Sequence, residues 1–178
     1  RKEMPERTVD LRSDTTTRPT QEMREAMARA AVGDDAYGED PTVNRLQELA
    51  AEKMGMEDAL YVPSGSMGNR CALSAHPDPG AAVFFEENAH SSVRSCGTYA
   101  GAETYPLAAE FGILTPAQLQ EAVDAARADA FRPAVLCVEN THNYSGGMAW
   151  APAALEALST AARGHGLKVH MDGARLFN

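Results

Sequence analysis

The sequence predicts an α/β domain with a mostly parallel sheet. Apolar runs of strand length alternate with helical patterns along most of the chain. One run, AVLCV at residues 134–138, is apolar on both faces, as a central parallel strand is. Helix starts are marked by polar caps and by prolines at first helical positions, where the missing N–H costs nothing.

Taken in order, Thr20 caps a first helix with Met23, Ala26, Met27 and Ala30 on one face. Asp40-Pro41 opens a second, carrying Val43, Leu46, Ala50 and Met54. Strands are expected at residues 59–62, 82–86, 103–107, 134–139 and 167–172. Thr115-Pro116, with Gln118 as capping-box partner, opens a helix with Leu119, Val123 and Ala126. Pro152 begins another through Leu155, Leu158 and Ala162, which Gly164-His165-Gly166 ends. Residues 1–40 differ in kind, being polar and threonine-rich ahead of their single helix, and read as an arm that packs on something else.

With 178 residues, 44% hydrophobic and 23% charged, the chain can bury one real core. Sixteen basic residues against 25 acidic ones give a net charge of -9, the wrong sign for nucleic acid or an anionic membrane. No stretch approaches the roughly 18 apolar residues of a membrane span, and RKEMPERT lacks the apolar region of a secretion signal. Residue 1 is Arg, so a targeting segment removed upstream stays an open alternative. Cys71, Cys96 and Cys137 are odd in number and lack metal-ligand spacing, which suits a reducing compartment and no metal.

Five stretches could carry chemistry. In YVPSGSMGN, residues 61–69, small residues at Ser64, Gly65 and Ser66 let amides at a helix start face an anion, two hydroxyls adding donors. An ordinary capped helix start is the plain alternative. The same letters lie one substitution from G-x-S-x-G, so Ser66 could instead be the nucleophile of a serine hydrolase, with His142, His165 or His170 as base. His90 follows the strand at 82–86, near the crevice where open α/β sheets bind ligands, although alone it reads as a loop histidine. ENTHN, residues 139–143, sets five polar residues where a buried strand emerges, which favours a lined pocket. HMDGAR places His170 and Asp172 on one face by period two, with Arg175 after a turn. Asp172 either caps the next helix or pairs with a cationic ring nitrogen. Finally LRSDTTTRP and GDDAYGEDP, with Arg12, Ser13, Asp14 and Tyr37, read by themselves as solvated loops.

Together LRSDTTTRP, VGDDAYGEDPTVNRLQ, SGSMGN, NAH, ENTHN and HMDGARLFN resemble one family in its own order across nearly the whole chain, the low-specificity threonine aldolases. These are lyases dependent on pyridoxal 5'-phosphate, with the fold type I, aspartate aminotransferase-like architecture. The resemblance implies residues 1–40 as an N-terminal arm and helix and residues 41–178 as the cofactor-binding large domain. By the same resemblance Ser64, Gly65 and Ser66 hold the phosphate, His90 stacks on the ring, and Asp172 pairs with the ring nitrogen. Arg175 lies near the ring oxygen or the substrate carboxylate, which Ser13 also reaches, and Tyr37 serves a substrate site shared with a neighbouring subunit. His142 faces the substrate hydroxyl, and the acceptor of its proton is His142, His90 or a water they position. The implied reaction is retro-aldol cleavage of L-threonine or L-allo-threonine to glycine and acetaldehyde by a cytoplasmic homodimer or homotetramer. Two departures stand out. Serines replace the threonines of the usual phosphate loop, and none of Lys2, Lys53 and Lys168 matches the Schiff-base lysine, which follows HMDGAR in the family. The expectation is therefore an N-terminal portion, large domain incomplete, inactive alone. A non-catalytic phosphate-binding α/β module remains the second rival.

Overall fold

The computed structural model describes residues 10 and 13–177. Lys2, Leu11, Arg12 and Asn178 lie outside the described residues. The chain divides into two compact units, residues 1–61 and 62–178.

In the first unit, Thr20 caps α1 (Gln21–Arg29), its hydroxyl accepting the Met23 amide at 3.3 Å. Asp40 caps α2 (Pro41–Met54): one carboxylate oxygen accepts the Thr42 and Val43 amides, both at 2.9 Å, and the other accepts the Gly33 amide at 3.1 Å. Led by the Val43 and Gly33 amides, these bonds hold the Asp40 carboxyl below its usual range. The apolar positions of both helices stay largely open, Met23 and Met27 on α1 and Leu46 and Met54 on α2 all being exposed.

The strand expected at residues 59–62 is absent. Leu60 is exposed, and the Tyr61 amide bonds to the Gln47 side-chain oxygen at 2.8 Å. A short apolar run becomes a strand only where a ladder receives its backbone groups, and here a side chain of α2 takes that amide instead.

The second unit begins with α3 (Gly65–Ala75), capped by Ser64, whose hydroxyl accepts the Met67 amide at 3.2 Å. Then come β1 (Ala82–Glu86), α4 (Ser91–Arg94), α5 (Cys96–Ala100), β2 (Glu103–Leu107), α6 (Pro116–Ala128), β3 (Pro133–Glu139), α7 (Pro152–Gly164) and β4 (Lys168–Asp172). The capping box of Thr115 with Gln118 is formed in both directions, and the last two helices start where their prolines place them. The short helices α4 and α5 lack any pattern long enough to declare itself beforehand.

The four strands form one parallel sheet in the order β2-β1-β3-β4. Period two sends alternate side chains of β1 to opposite faces. Ala82 and Phe84 join Leu136, Val138, Leu119, Val123 and Leu158 beneath α6 and α7. Val83 and Phe85 join Val135, Cys137, Leu73, Val93 and Cys96 beneath α3, α4 and α5. β1 is buried throughout, whereas β2 is an edge strand that tolerates Pro106. Among the described residues no helix is long and apolar enough to cross a membrane.

Leu136 is fully buried on the central strand. Leu136→Ala should lower the unfolding free energy by about 2–5 kcal/mol, measured by urea denaturation; a loss well under 1 kcal/mol would contradict this packing.

Candidate active site

The chain steps outward from β1 to β2 and then back across β1 to β3. In open parallel sheets, ligands bind outside the carboxyl ends of the strands at such a reversal. Here those ends carry three acids, Glu86, Glu139 and Asp172.

Two of the three are buried and occupied. Glu86 accepts the Asn88 amide at 2.7 Å and the Asn88 side chain at 3.2 Å. Glu139 accepts the His90 amide at 3.0 Å on one oxygen and the Asn143 amide at 2.9 Å on the other, tying the loop after β1 to the loop after β3. Asp172 is half-buried. One of its oxygens takes the Asn69 side-chain amide at 2.8 Å and the other the Ala174 backbone amide at 3.3 Å. The cavity behind it is small, about 10 Å³, with Glu86, Cys137, Glu139 and Trp150 among its walls. Burial, then Cys96 and Asp172, push the Cys137 thiol well above its ordinary value, so this cysteine is a packed core residue.

The Asn69 amide also donates to Ser92 Oγ at 3.0 Å, while its oxygen lies 2.8 Å from His170 Nε2. Ser92 Oγ lies 2.6 Å from His90 Nδ1, and the Ser92 amide donates to that nitrogen at 3.2 Å. Asp172, His170 and His90 are thereby joined through one side chain of α3. Ser64, Gly65 and Ser66 lie about one turn earlier on that helix, exposed at its N-terminus. First-turn amides have no acceptor within a helix, and nothing lies within 4 Å of where a Cβ on Gly65 would point. Together these leave an open, donor-rich turn.

The ENTHN run is more architectural than its polarity suggests. The Asn140 amide donates to the Asp172 carbonyl at 2.9 Å, and the Trp150 indole donates to the Glu139 carbonyl at 3.1 Å. His142 is 1% exposed. Its Nε2 lies 2.9 Å from a Glu86 carboxylate oxygen but off hydrogen-bond direction, so neither ring nitrogen makes a directed bond. A Cβ on Gly112 would stand 2.4 Å from that ring, and Gly112 has φ +77, so a glycine turn closes over the histidine. Arg175 donates to Asn143 Oδ1 at 3.0 Å, joining the segment after β4 to the same loop.

Asp172, His90, Arg175 and the Ser64–Ser66 turn all belong to the second unit, and His142 sits sealed within it. Ser13 and Tyr37 belong to the first, where Ser13 caps the 3-10 turn Asp14–Thr16 and Tyr37 ends the turn Asp35–Tyr37. Among the described residues no histidine bonds to Ser66, which leaves the hydrolase reading without a triad. No group of three His, Cys, Asp or Glu among the described residues could hold a metal ion. Sequence reasoning assigned no individual role to Asn69, Ser92 or Glu86, and gave Glu139 only a place in the polar run expected to line a pocket. The two glutamates were within reach, since each ends an apolar strand as Asp172 does. Asn69 was not, because its partners Ser92 and Asp172 lie 23 and 103 residues away.

Burial, opposed by Asp172, holds the His170 imidazole below its ordinary value of 6.5. Its neutral form is favoured on folding, so its contribution to stability is present above the unfolded value and lost as pH falls below it toward the folded value. Urea unfolding should therefore show stability dropping as pH falls below 6.5, and His170→Gln should flatten that slope; an unchanged slope would count against it. Gly112→Ala should cost about 2 kcal/mol or more, from the clash with His142 and the left-handed backbone, and wild-type stability in the same assay would refute the closure described.

The beta-eliminating lyase family matches residues 10–178. Low-specificity L-threonine aldolase 1 of Arabidopsis thaliana is 43% identical over 97% of this chain and 50% of its own length. The low specificity L-threonine aldolase of Escherichia coli K12 is 38% identical over 96% of this chain and 51% of its own. The chain thus spans about half the length of the relatives it matches. In fold, it superposes on a Leishmania major threonine aldolase with a TM-score of 0.78 at 24% identity, covering 90% of this chain and 48% of that one. A Thermus thermophilus aspartate aminotransferase gives 0.62 at 22% identity over 83% and 41%. The architecture is that of the aspartate aminotransferase-like fold, and the chain belongs to the beta-eliminating lyase family.

Proposed function

We propose that this chain contributes to pyridoxal 5'-phosphate-dependent retro-aldol cleavage of L-threonine and L-allo-threonine to glycine and acetaldehyde. The carrying observation is the Asp172 carboxylate, held at the strand end by Ala174 and by Asn69, which lies about one turn along α3 from that helix's open N-terminal turn. The likeness to low-specificity threonine aldolases supports the substrate.

The residues present fit the cofactor. The amides of Gly65 and Ser66, with the hydroxyls of Ser64 and Ser66, receive its phosphate, and the uncrowded face of Gly65 admits the approach. Asp172 would accept a hydrogen bond from the protonated ring nitrogen, and His90 would flank the ring. Arg175 would meet the ring oxygen or the substrate carboxylate, Ser13 would meet that carboxylate, and Tyr37 would serve the substrate site of a neighbouring subunit in a cytoplasmic homodimer or homotetramer. When bound, the cofactor supplies an electron sink for breaking the Cα–Cβ bond. The chain's own residues bind and orient it, and keep a negative carboxylate beside its nitrogen. His142, sealed beneath Gly112, meets the substrate hydroxyl only where that turn opens.

Among the described residues neither lysine takes the place of a covalent anchor. Lys53 lies on α2, and Lys168 begins β4 at the end opposite Asp172, its Nζ 3.4 Å from His76 Nδ1. The reading therefore requires a lysine from sequence beyond this stretch.

Pyridoxamine 5'-phosphate needs no lysine, so it tests the cradle directly. The 178-residue chain should bind it saturably in a fluorescence titration, and Asp172→Ala should weaken binding about tenfold or more. No binding would sink the reading, and binding of inorganic phosphate equal in strength, indifferent to Asp172, would favour a non-catalytic phosphate module. With pyridoxal phosphate and L-threonine, this chain alone should release no more acetaldehyde than the free cofactor does. A higher rate would overturn the assignment of the lysine.

A further inference from the structure

We infer that Asn69 is a positioning residue whose single carboxamide orients the Asp172 carboxylate and fixes the protons of His170 and His90 on Nε2. The matching of donors to acceptors leads there. Asp172 offers the Asn69 side chain only carboxylate oxygens, so the NH2 end of the amide faces it at 2.8 Å. The amide's second hydrogen points to Ser92 Oγ at 3.0 Å. The oxygen of Asn69 is then the atom 2.8 Å from His170 Nε2, and an oxygen acceptor requires a proton on that nitrogen. Burial favours the neutral ring, so His170 is the Nε2–H tautomer.

The second branch runs to His90. Ser92 Oγ accepts from Asn69 and so turns its own hydrogen to His90 Nδ1, 2.6 Å away. The Ser92 amide donates to the same nitrogen at 3.2 Å. With two donors aimed at it, Nδ1 is an acceptor, and the proton of His90 sits on Nε2. The edge of His90 left outside the network is therefore an N–H, able to donate to a bound group and unable to accept a proton from one. Asn69 itself is 5% exposed with both hydrogens and its oxygen engaged. Such an amide has one orientation, since reversing it would set its NH2 against a donor and its oxygen against a carboxylate.

The functional consequence rests on the reading of Asp172 and His90 as cofactor contacts; the proton assignments do not. Long-range 1H–15N correlation spectra of the imidazoles, recorded on the 178-residue chain at neutral pH without cofactor, read the assignments directly. Both His170 and His90 should show the Nε2–H pattern. Asn69→Ala should shift His170 toward a mixture of tautomers, while Ser92→Ala should move the His90 signals and leave those of His170 in place. An Nδ1–H pattern at His170 in the wild-type chain overturns the inference without any variant, as does a folded Asn69→Ala chain with unaltered His170 signals. The same samples are then titrated with pyridoxamine 5'-phosphate, for which Asn69→Ala should lose about tenfold in affinity. Nε2–H tautomers with no binding in the wild type sink the cofactor reading and leave the network standing. Binding with an Nδ1–H His170 does the reverse.

Discussion

Parallel pairing of β3 with both β1 and β4 is the constraint on which the rest of the second unit depends. A strand with parallel neighbours on each side must be covered above and below, and AVLCV is apolar enough for both faces. Parallel pairing also brings every strand to its carboxyl end on the same side. Whatever ends one strand therefore meets whatever ends the next, and in this chain three strands end in acids.

Three carboxylates drawn from water at one end of a sheet need other donors. The loops after the strands and helix α3 supply them. Asn88 folds back onto Glu86, the His90 and Asn143 amides close on Glu139, and Asn69 comes from α3 to Asp172. Each of the backbone bonds also fixes a loop, so satisfying the acids and shaping the crevice are one event. The loop after β3 is the clearest case, since Glu139, Asn140 and Trp150 bind one another before they could bind anything else.

Local signals were legible in the sequence, and long-range ones were not. Four of the five expected strands and the starts of α1, α2, α6 and α7 stand within a residue or two of where period, capping and proline put them, because those signals involve near neighbours. The run at residues 59–62 failed because strand formation is not local, and an apolar tetrapeptide with no ladder partner is only a loop. The same divide runs through the site. Asp172, His90 and the Ser64–Ser66 turn announce themselves by position at strand and helix ends. Asn69 sits mid-helix with partners 23 and 103 residues away, and no pattern of neighbours could pick it out. His142 looked available by its loop position and is 1% exposed, since the Gly112 turn that covers it comes from about thirty residues upstream in sequence.

The three strand-end acids are not equivalent in exposure or in the donors that hold them. Glu86 and Glu139 are 4% and 8% exposed, each bonded by backbone amides that also shape a loop. Using either to bind a ligand would break a loop closure. Asp172 is half-buried and receives one side-chain amide and one longer backbone contact on oxygens that can accept about four bonds in all. It keeps acceptor capacity, and its donor from Asn69 is rigid because that amide is itself fully engaged. A carboxylate held by a fixed donor and still short of partners favours a cationic N–H within hydrogen-bond reach, without the backbone having to move. Glu86 and Glu139 accept two bonds each as Asp172 does, so its partial exposure and its side-chain donor from α3, more than its place at the end of a strand, are what separate it from its neighbours.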